Sequence, residues 1–343
     1  MKDTAPTVSP VPLMQISTGF WASKTLAAAN EIDLFTRIAG GKGATPDELA
    51  KSLDIDPRPA EMLLTGCASL GLLEKKGGRY VNTPLAEEFL VRGKPWYFGG
   101  WVEMLDKRLY AGWGKLSQAI RTNRPTTWDP SKQKSLFDGV DPQLLAVFWH
   151  AMHSLSSFTA RVLGQAVDFG SAKEVLDVGG GSGAYDIELC RLYPKLESTV
   201  YDLEPVTRIA AENAKKAGLD GRVRTHPGNF FTDASFPAGH DMHLFSMILH
   251  DWNEEKNRTL LRKSFGALPK GGRVVVSELL VNDEKTGPVP AALMSLNMLV
   301  ETEGRNYSAA EYAAWIRDAG FRDVETVTFD APGANGAVVA VKP

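Results

Sequence analysis

Residues 174–184 read EVLDVGGGSGA, an apolar run carrying Asp177 near its end and running into a glycine turn, and a helical stretch follows from Tyr185 to Leu192. Strand, glycine turn and helix in that order open a doubly wound α/β sheet, and the glycines mark where backbone passes very close to another group. The pattern then repeats. Short apolar runs STVYD (198–202), VRTHPG (223–228), MHLFSMIL (242–249), RVVVSELLV (273–281), VETVTFD (324–330) and AVVAVK (337–342) alternate with helical stretches. Strands separated by helices predict a parallel sheet. The last two runs are joined only by APGANG (331–336), too short for a helical crossover, so the final strand of the seven is expected to run antiparallel.

In such sheets the ligand lies beyond the C-terminal ends of the strands. Asp202 ends the second strand, 23 residues after Gly179, where a carboxylate accepts hydrogen bonds from two ribose hydroxyls, so an adenosine-bearing cofactor is expected. Gly179, Gly181 and Ala184 also satisfy the pattern GxGxxA, which leaves a nicotinamide cofactor and S-adenosylmethionine both open. Asp177 favours the second: a carboxylate at the strand tip repels a pyrophosphate and suits a cationic amino-acid moiety.

The chain has 343 residues, which at about 150 residues per domain suggests two domains. It is 43% hydrophobic and 23% charged, close to the globular average, which excludes a largely disordered or collagen-like chain. Lys and Arg number 38 against 41 Asp and Glu, a net charge of -3, so there is no general pull toward nucleic acid or an anionic membrane. A small ligand fits better. Cys67 and Cys190 are too few for a disulfide framework. The opening MKDTAPTVSPVP lacks the pattern of an export signal and no 18-residue apolar window occurs, so a cytoplasmic protein without a membrane span is expected.

Ahead of the sheet, Leu13 to Ile38 has helical spacing, with Phe20, Leu26, Ala27, Leu34 and Phe35 available for buried faces. Thr45 is placed to cap a helix opened by Pro46, a second helix runs to Gly71, and Leu72–Glu74 with Arg79–Asn82 make a short β-wing. A winged helix suggests either DNA reading or a dimerisation module. The second helix, PAEMLLTGCASLG, is preceded by Arg58 as nearly its only cation, which speaks against base reading. Phe89 to Val167 stays helical and rich in aromatic residues. The expected domains are a winged-helix dimerisation domain over 1–100, a helical linker and acceptor-pocket region over 101–165, and a Rossmann-like catalytic domain over 166–343.

Together, DVGGGSG (177–183), Tyr201-Asp202-Leu203, PGNFF (227–231), ILHDW (248–252), LPKGG (268–272) and Glu278-Leu-Leu resemble the S-adenosylmethionine-dependent O-methyltransferases of the plant caffeate and bacterial polyketide-tailoring type. The resemblance covers nearly the whole chain. It implies a class I methyltransferase domain behind an N-terminal dimerising winged helix, with a homodimer as the working form. It implies that Asp177, Gly179 and Gly181 approach the methionine part, that Asp202 holds the ribose, and that Phe230 lies against the adenine. Leu203, Gly228, Ser246 and Asp251 complete the expected cofactor set. Asn229 stands where the family usually has aspartate facing the adenine amine, and its side-chain carbonyl can still accept from that amine. S-adenosylhomocysteine would be the product.

The family's base is the histidine of its H-D-W motif, which maps onto His250. A phenol titrates near 10 and a histidine near 6.5, so ground-state proton transfer costs roughly 5 kcal/mol and the base needs help from a carboxylate on its other ring nitrogen. Glu278 matches the first of the family's two flanking glutamates. The second is replaced by Asn306, in Gly304-Arg305-Asn306-Tyr307-Ser308, which can orient a ring nitrogen but cannot share charge; Glu301 and Glu303 lie near in sequence as substitutes. The acceptor pocket is expected from Phe148, Trp149 and Met152 and from Met294, Asn297 and Met298, although the same residues would serve an ordinary interdomain core. His150 and His153 read as pocket-lining or solvated, His250-Asp251 finds no third partner, and no metal is expected.

The leading expectation is an O-methyltransferase acting on a hydroxyl of a small aromatic natural product. Methylation at carbon or nitrogen on the same scaffold, a nicotinamide dehydrogenase, and a ligand-sensing winged-helix regulator are the alternatives.

Overall fold

The computed structural model describes residues 8–133 and 142–343, with backbone alone described over 142–147. It divides into two compact units after Lys107.

In the first unit, helices Val11–Ser17, Gly19–Glu31 and Leu34–Arg37 replace the single helical region read from the spacing. Asp33, at a left-handed φ of 59°, turns the chain before the third. Thr45 caps Pro46–Leu53 through a reciprocal capping box with Glu48, satisfying two backbone N–H groups that the first turn leaves open. Helix Pro57–Ser69 follows, and then the hairpin of β1 (Leu73–Lys76) and β2 (Arg79–Asn82). Its turn uses Gly77 and Gly78, both at positive φ, as a tight two-residue hairpin requires. Leu34, Phe35, Leu49, Leu64 and Tyr80 form the core. Phe20 does not join them: it is 51% exposed and Trp21 beside it is 62% exposed, because no apolar surface among the described residues of this unit covers that helix face.

The second unit carries β3 (Glu174–Val178), β4 (Glu197–Asp202), β5 (Val223–Pro227), β6 (Met242–Ser246), β7 (Arg273–Glu278), β8 (Arg322–Thr328) and β9 (Gly336–Val341), in the spatial order β5-β4-β3-β6-β7-β9-β8. The first five run parallel, and β9 lies antiparallel to both β7 and β8. Successive residues of β3 feed opposite layers: Leu176 and Val178 pack with Phe245, Val274 and Ile316, whereas Val175 packs with Leu163, Ile187 and Leu244. Burial of both faces explains why the central strands read as continuous apolar runs rather than alternating ones. From β3 the chain winds outward through β4 and β5 and then returns to the other side at β6. This reversal opens a crevice beyond the C-terminal ends of β3, β4 and β6.

Candidate active site

The glycine turn after β3 lines that crevice. Gly179, Gly181 and Gly183 all adopt positive φ. A side chain on Gly179 would place Cβ 2.5 Å from Ile248, and one on Gly181 would place it 2.8 Å from the Trp149 ring. Asp202, ending β4, accepts the amide of Gly181 on Oδ2 at 3.0 Å and that of Leu203 on Oδ1 at 2.7 Å. Each oxygen keeps a lone pair for a hydroxyl donor. Burial pushes the Asp202 carboxyl up to about 6 against those two amides. Leu203 leaves its side chain exposed beside it.

Asp177 is buried beneath the turn, with its Oδ2 unpartnered among the described residues and 2.7 Å from where a Cβ on Gly180 would sit. Burial, and then the neighbouring Asp186, hold its carboxyl well above the usual range. A cationic group above the turn would supply the missing donor. Gly228 lies so close to the Tyr201 ring that a Cβ would come within 2.3 Å of it. Phe230 approaches Gly179 and meets Phe231 and Trp252 edge-on. Ser246 is buried at the end of β6. A two-oxygen acceptor for vicinal hydroxyls, an aromatic wall and a buried carboxylate short of a donor together fit S-adenosylmethionine. Asn229 behaves differently from the expectation: its Oδ1 accepts the amides of Phe231 and Thr232, so the carbonyl lone pairs hold the local turn together.

Beyond β6 the chain reverses at Met247, a non-glycine residue at φ 56°, and enters a single 3-10 turn, Leu249–Asp251. The reversal brings three successive amides, those of Ile248, Leu249 and His250, onto Oε1 of Glu278 at 3.1, 3.0 and 3.4 Å. The other carboxylate oxygen lies 2.7 Å from His250 Nδ1. The ring N–H is not aimed squarely at that oxygen, so the contact is first of all electrostatic. Burial disfavours a charged His250, but Glu278 and then Asp251 outweigh it and push the imidazole up to about 9. His250 Nε2 lies 3.8 Å from Asp251 Oδ1. Asp251, 32% exposed at its side chain, is itself pushed up to about 7, by burial first and by Glu278 and Glu301 against the pull of His250.

Gly304 lies flat on this turn: a Cβ there would fall 2.0 Å from the His250 carbonyl oxygen. Asn306 is held by donating from Nδ2 to the Leu279 carbonyl at 2.6 Å and from its backbone N–H to Ser295 Oγ at 2.9 Å. Its Oδ1 is buried without a partner among the described residues.

Of the residues expected at the acceptor wall, Phe148 and Trp149 meet edge-on at 5.1 Å. Met152 is half-buried on the same helix, and Met298 is buried on Val289–Glu301. Met294 packs on the small cluster of Leu279, Val281 and Ala291. Asn297 accepts the Trp113 indole N–H at 2.8 Å. Two residues the motifs did not single out for this wall stand among them. Arg108 lies over the Phe148 ring at 5.2 Å and pairs through Nη2 with Glu301 Oε1 at 2.7 Å. No local pattern marks that pairing; only the fold brings residue 108 to residue 301. Among the described residues no three His, Cys, Asp or Glu side chains come together as a metal set, and no helix is long and apolar enough to cross a membrane.

Comparison with known proteins agrees with this geometry. The O-methyltransferase domain model matches residues 113–322 and the O-methyltransferase dimerisation domain model matches residues 14–92. The chain is 49% identical to the 3-hydroxy-5-methyl-1-naphthoate 3-O-methyltransferase of Streptomyces sahachiroi, over 97% of this chain and 95% of that one. It is 34% identical to the tetracenomycin polyketide synthesis 8-O-methyltransferase of Streptomyces glaucescens, over 94% of each. Human N-acetylserotonin methyltransferase in complex with S-adenosylmethionine superimposes with a TM-score of 0.87 at 28% identity, covering 100% of this chain and 99% of that one. Sheet order, glycine turn, the carboxylate ending β4 and both matched domains lead to one assignment: the chain belongs to the S-adenosylmethionine-dependent O-methyltransferases that carry an N-terminal dimerisation domain.

Proposed function

We propose that this methyltransferase acts on a hydroxyl of a small aromatic natural product, with His250 as general base, Glu278 as its orienting carboxylate and the crevice residues named above as the cofactor site. The observation that carries the reading is the His250–Glu278 pair. One carboxylate oxygen is gripped by three amides while the other faces Nδ1, so the ring is fixed and Nε2 remains as its acceptor. When bound, S-adenosylmethionine supplies an electrophilic methyl group on a sulfonium. The protein's share of the work is to hold the acceptor oxygen in line with that methyl and to take the proton.

The raised basicity of His250 answers the cost stated earlier. Against a phenol near 10, an imidazole near 9 leaves a gap of about one unit, or roughly 1–2 kcal/mol, in place of roughly 5. Asn306, which brings no charge, is then a positioning residue that holds the Leu279 backbone just after Glu278.

The 49% identical relative, named for a hydroxynaphthoate, makes hydroxylated naphthoic acids the first acceptors to try. Exposed Met14, Ile16, Phe20 and Trp21, within the matched dimerisation domain, supply an apolar face for a homodimer, which sedimentation reads directly.

The decisive experiment is turnover by His250→Gln and His250→Ala with the methylated atom identified in the product. A fall of about 10²–10⁴ in kcat is expected, with calorimetric binding of S-adenosylhomocysteine unchanged. Turnover near the wild-type rate in both variants removes His250 from the mechanism. A methyl group found on carbon or nitrogen removes the hydroxyl assignment.

A further inference from the structure

Arg108 is the cation of the acceptor wall and its hydrogen bonding is incomplete. It stands on a single π-helical turn, Leu105–Leu109, an irregularity that re-aims side chains and recurs at functional sites. Its Nη2 pairs with Glu301, while Nη1 is buried with no hydrogen-bond partner among the described residues. A guanidinium carries five N–H donors in a rigid fork suited to two oxygens of one carboxylate, and a buried donor left unmatched is costly. The side chain as a whole keeps 17% of its surface open, so it is not sealed in the core.

Its neighbours locate it. Arg108 lies over Phe148, Phe148 meets Trp149, and the Trp149 ring lies against Gly181 in the cofactor turn. On its other side, Glu301 is close enough to Asp251 to help raise that carboxyl. A flat acceptor lying between the glycine turn and His250 therefore has Arg108 at its rim. Glu301 is buried beside Arg108, and burial raises its carboxyl against the pull of that cation.

Resting on the reading of the preceding subsection, we propose that Arg108 is the acceptor-recognition residue, and that its free Nη1 binds a carboxylate borne on the aromatic ring that carries the reacting hydroxyl. The acceptor is then a hydroxylated aromatic acid rather than a simple phenol. Glu301 positions the guanidinium.

Binding is measured by calorimetry on the full-length enzyme saturated with S-adenosylhomocysteine, using 3-hydroxy-1-naphthoate and its decarboxylated counterpart 2-naphthol. The wild-type protein is expected to bind the acid at least tenfold more tightly. Arg108→Lys, which keeps charge but not the fork, should cut that preference several-fold. The double variant Arg108→Met with Glu301→Gln, which leaves no unpaired buried charge, should abolish it, with S-adenosylhomocysteine affinity and thermal unfolding verifying the fold. Equal affinities of the wild type for the two compounds, failure of the acid to bind, or a preference that survives in both variants overturns the proposal. Activity assays on the same pair test the preceding reading separately. Acid binding that depends on Arg108 without methylation of either compound upholds the carboxylate site and sinks the assigned reaction.

Discussion

Two buried pairs of opposite charge stand close together in this protein, and they are built differently. In His250–Glu278 three amides hold one carboxylate oxygen, the other faces the imidazole at 2.7 Å, and Gly304 presses on the turn from outside. In Arg108–Glu301 the pair meets at Nη2 and Oε1, and the cation is left with an unmatched donor at Nη1 among the described residues. A buried ion pair contributes little net stability, because desolvation offsets attraction. What differs is what each pair can still do. A closed pair fixes one ring in one orientation, which a proton-accepting base needs. An open pair holds a binding group in reserve, which a specificity element needs.

Breaking the closed pair should cost rate. Glu278→Gln keeps an acceptor for the three amides but removes the charge, and is expected to lower kcat by about 10²–10³. The rising limb of its pH profile should move down from about 9 toward the ordinary histidine range, because the charge that lifts His250 is gone. An unshifted limb would dissolve the contrast between the two pairs.

Gly304→Ala attacks the same pair from outside. Its Cβ would meet the His250 carbonyl, so the loop must lift, with about 1–3 kcal/mol of stability lost and kcat down about tenfold, read by thermal unfolding and initial rates. Glu301→Gln sharpens the other side. Loosening Arg108 without touching His250 should change kcat less than about threefold while raising the acceptor KM, a split that marks lost binding rather than lost chemistry.

The last effect is on stability. The folded-state value of His250 lies above the unfolded one, so the pair's contribution is fully present below about 6.5 and is lost as pH rises through about 9. Thermal midpoints should therefore decline across that window by an amount equivalent to about 3 kcal/mol, and Glu278→Gln should lack the decline.

Local chemistry decided which parts of this were legible beforehand. EVLDVGGGSGA and the aspartate ending STVYD declare themselves because a tight turn and a carboxylate at a strand end stand out at short spacings, and the parallel sheet with its antiparallel last strand followed from the alternation of runs and helices and the short final connection. The hairpin wing was legible for the same reason. Asn229 turns its carbonyl to the amides of Phe231 and Thr232, nearer donors than a ligand would supply, and a sequence does not show that competition. Phe20 has helical spacing yet lies open, since periodicity identifies an apolar face without saying what covers it. Arg108 and Glu301 carry no motif at all, and their meeting is a property of the fold.

Met247 links these features in another way. Its left-handed backbone is an uphill conformation for a side chain with a Cβ, and it is what turns three consecutive N–H groups toward one oxygen. The bend and the acid it clasps therefore make a single latch, each unfavourable without the other. On the proposed mechanism, drift at either position would be penalised twice over, in folding and in turnover, whereas the proposed rim around Arg108 would be free to be retuned for new acceptors while the engine behind it stays the same.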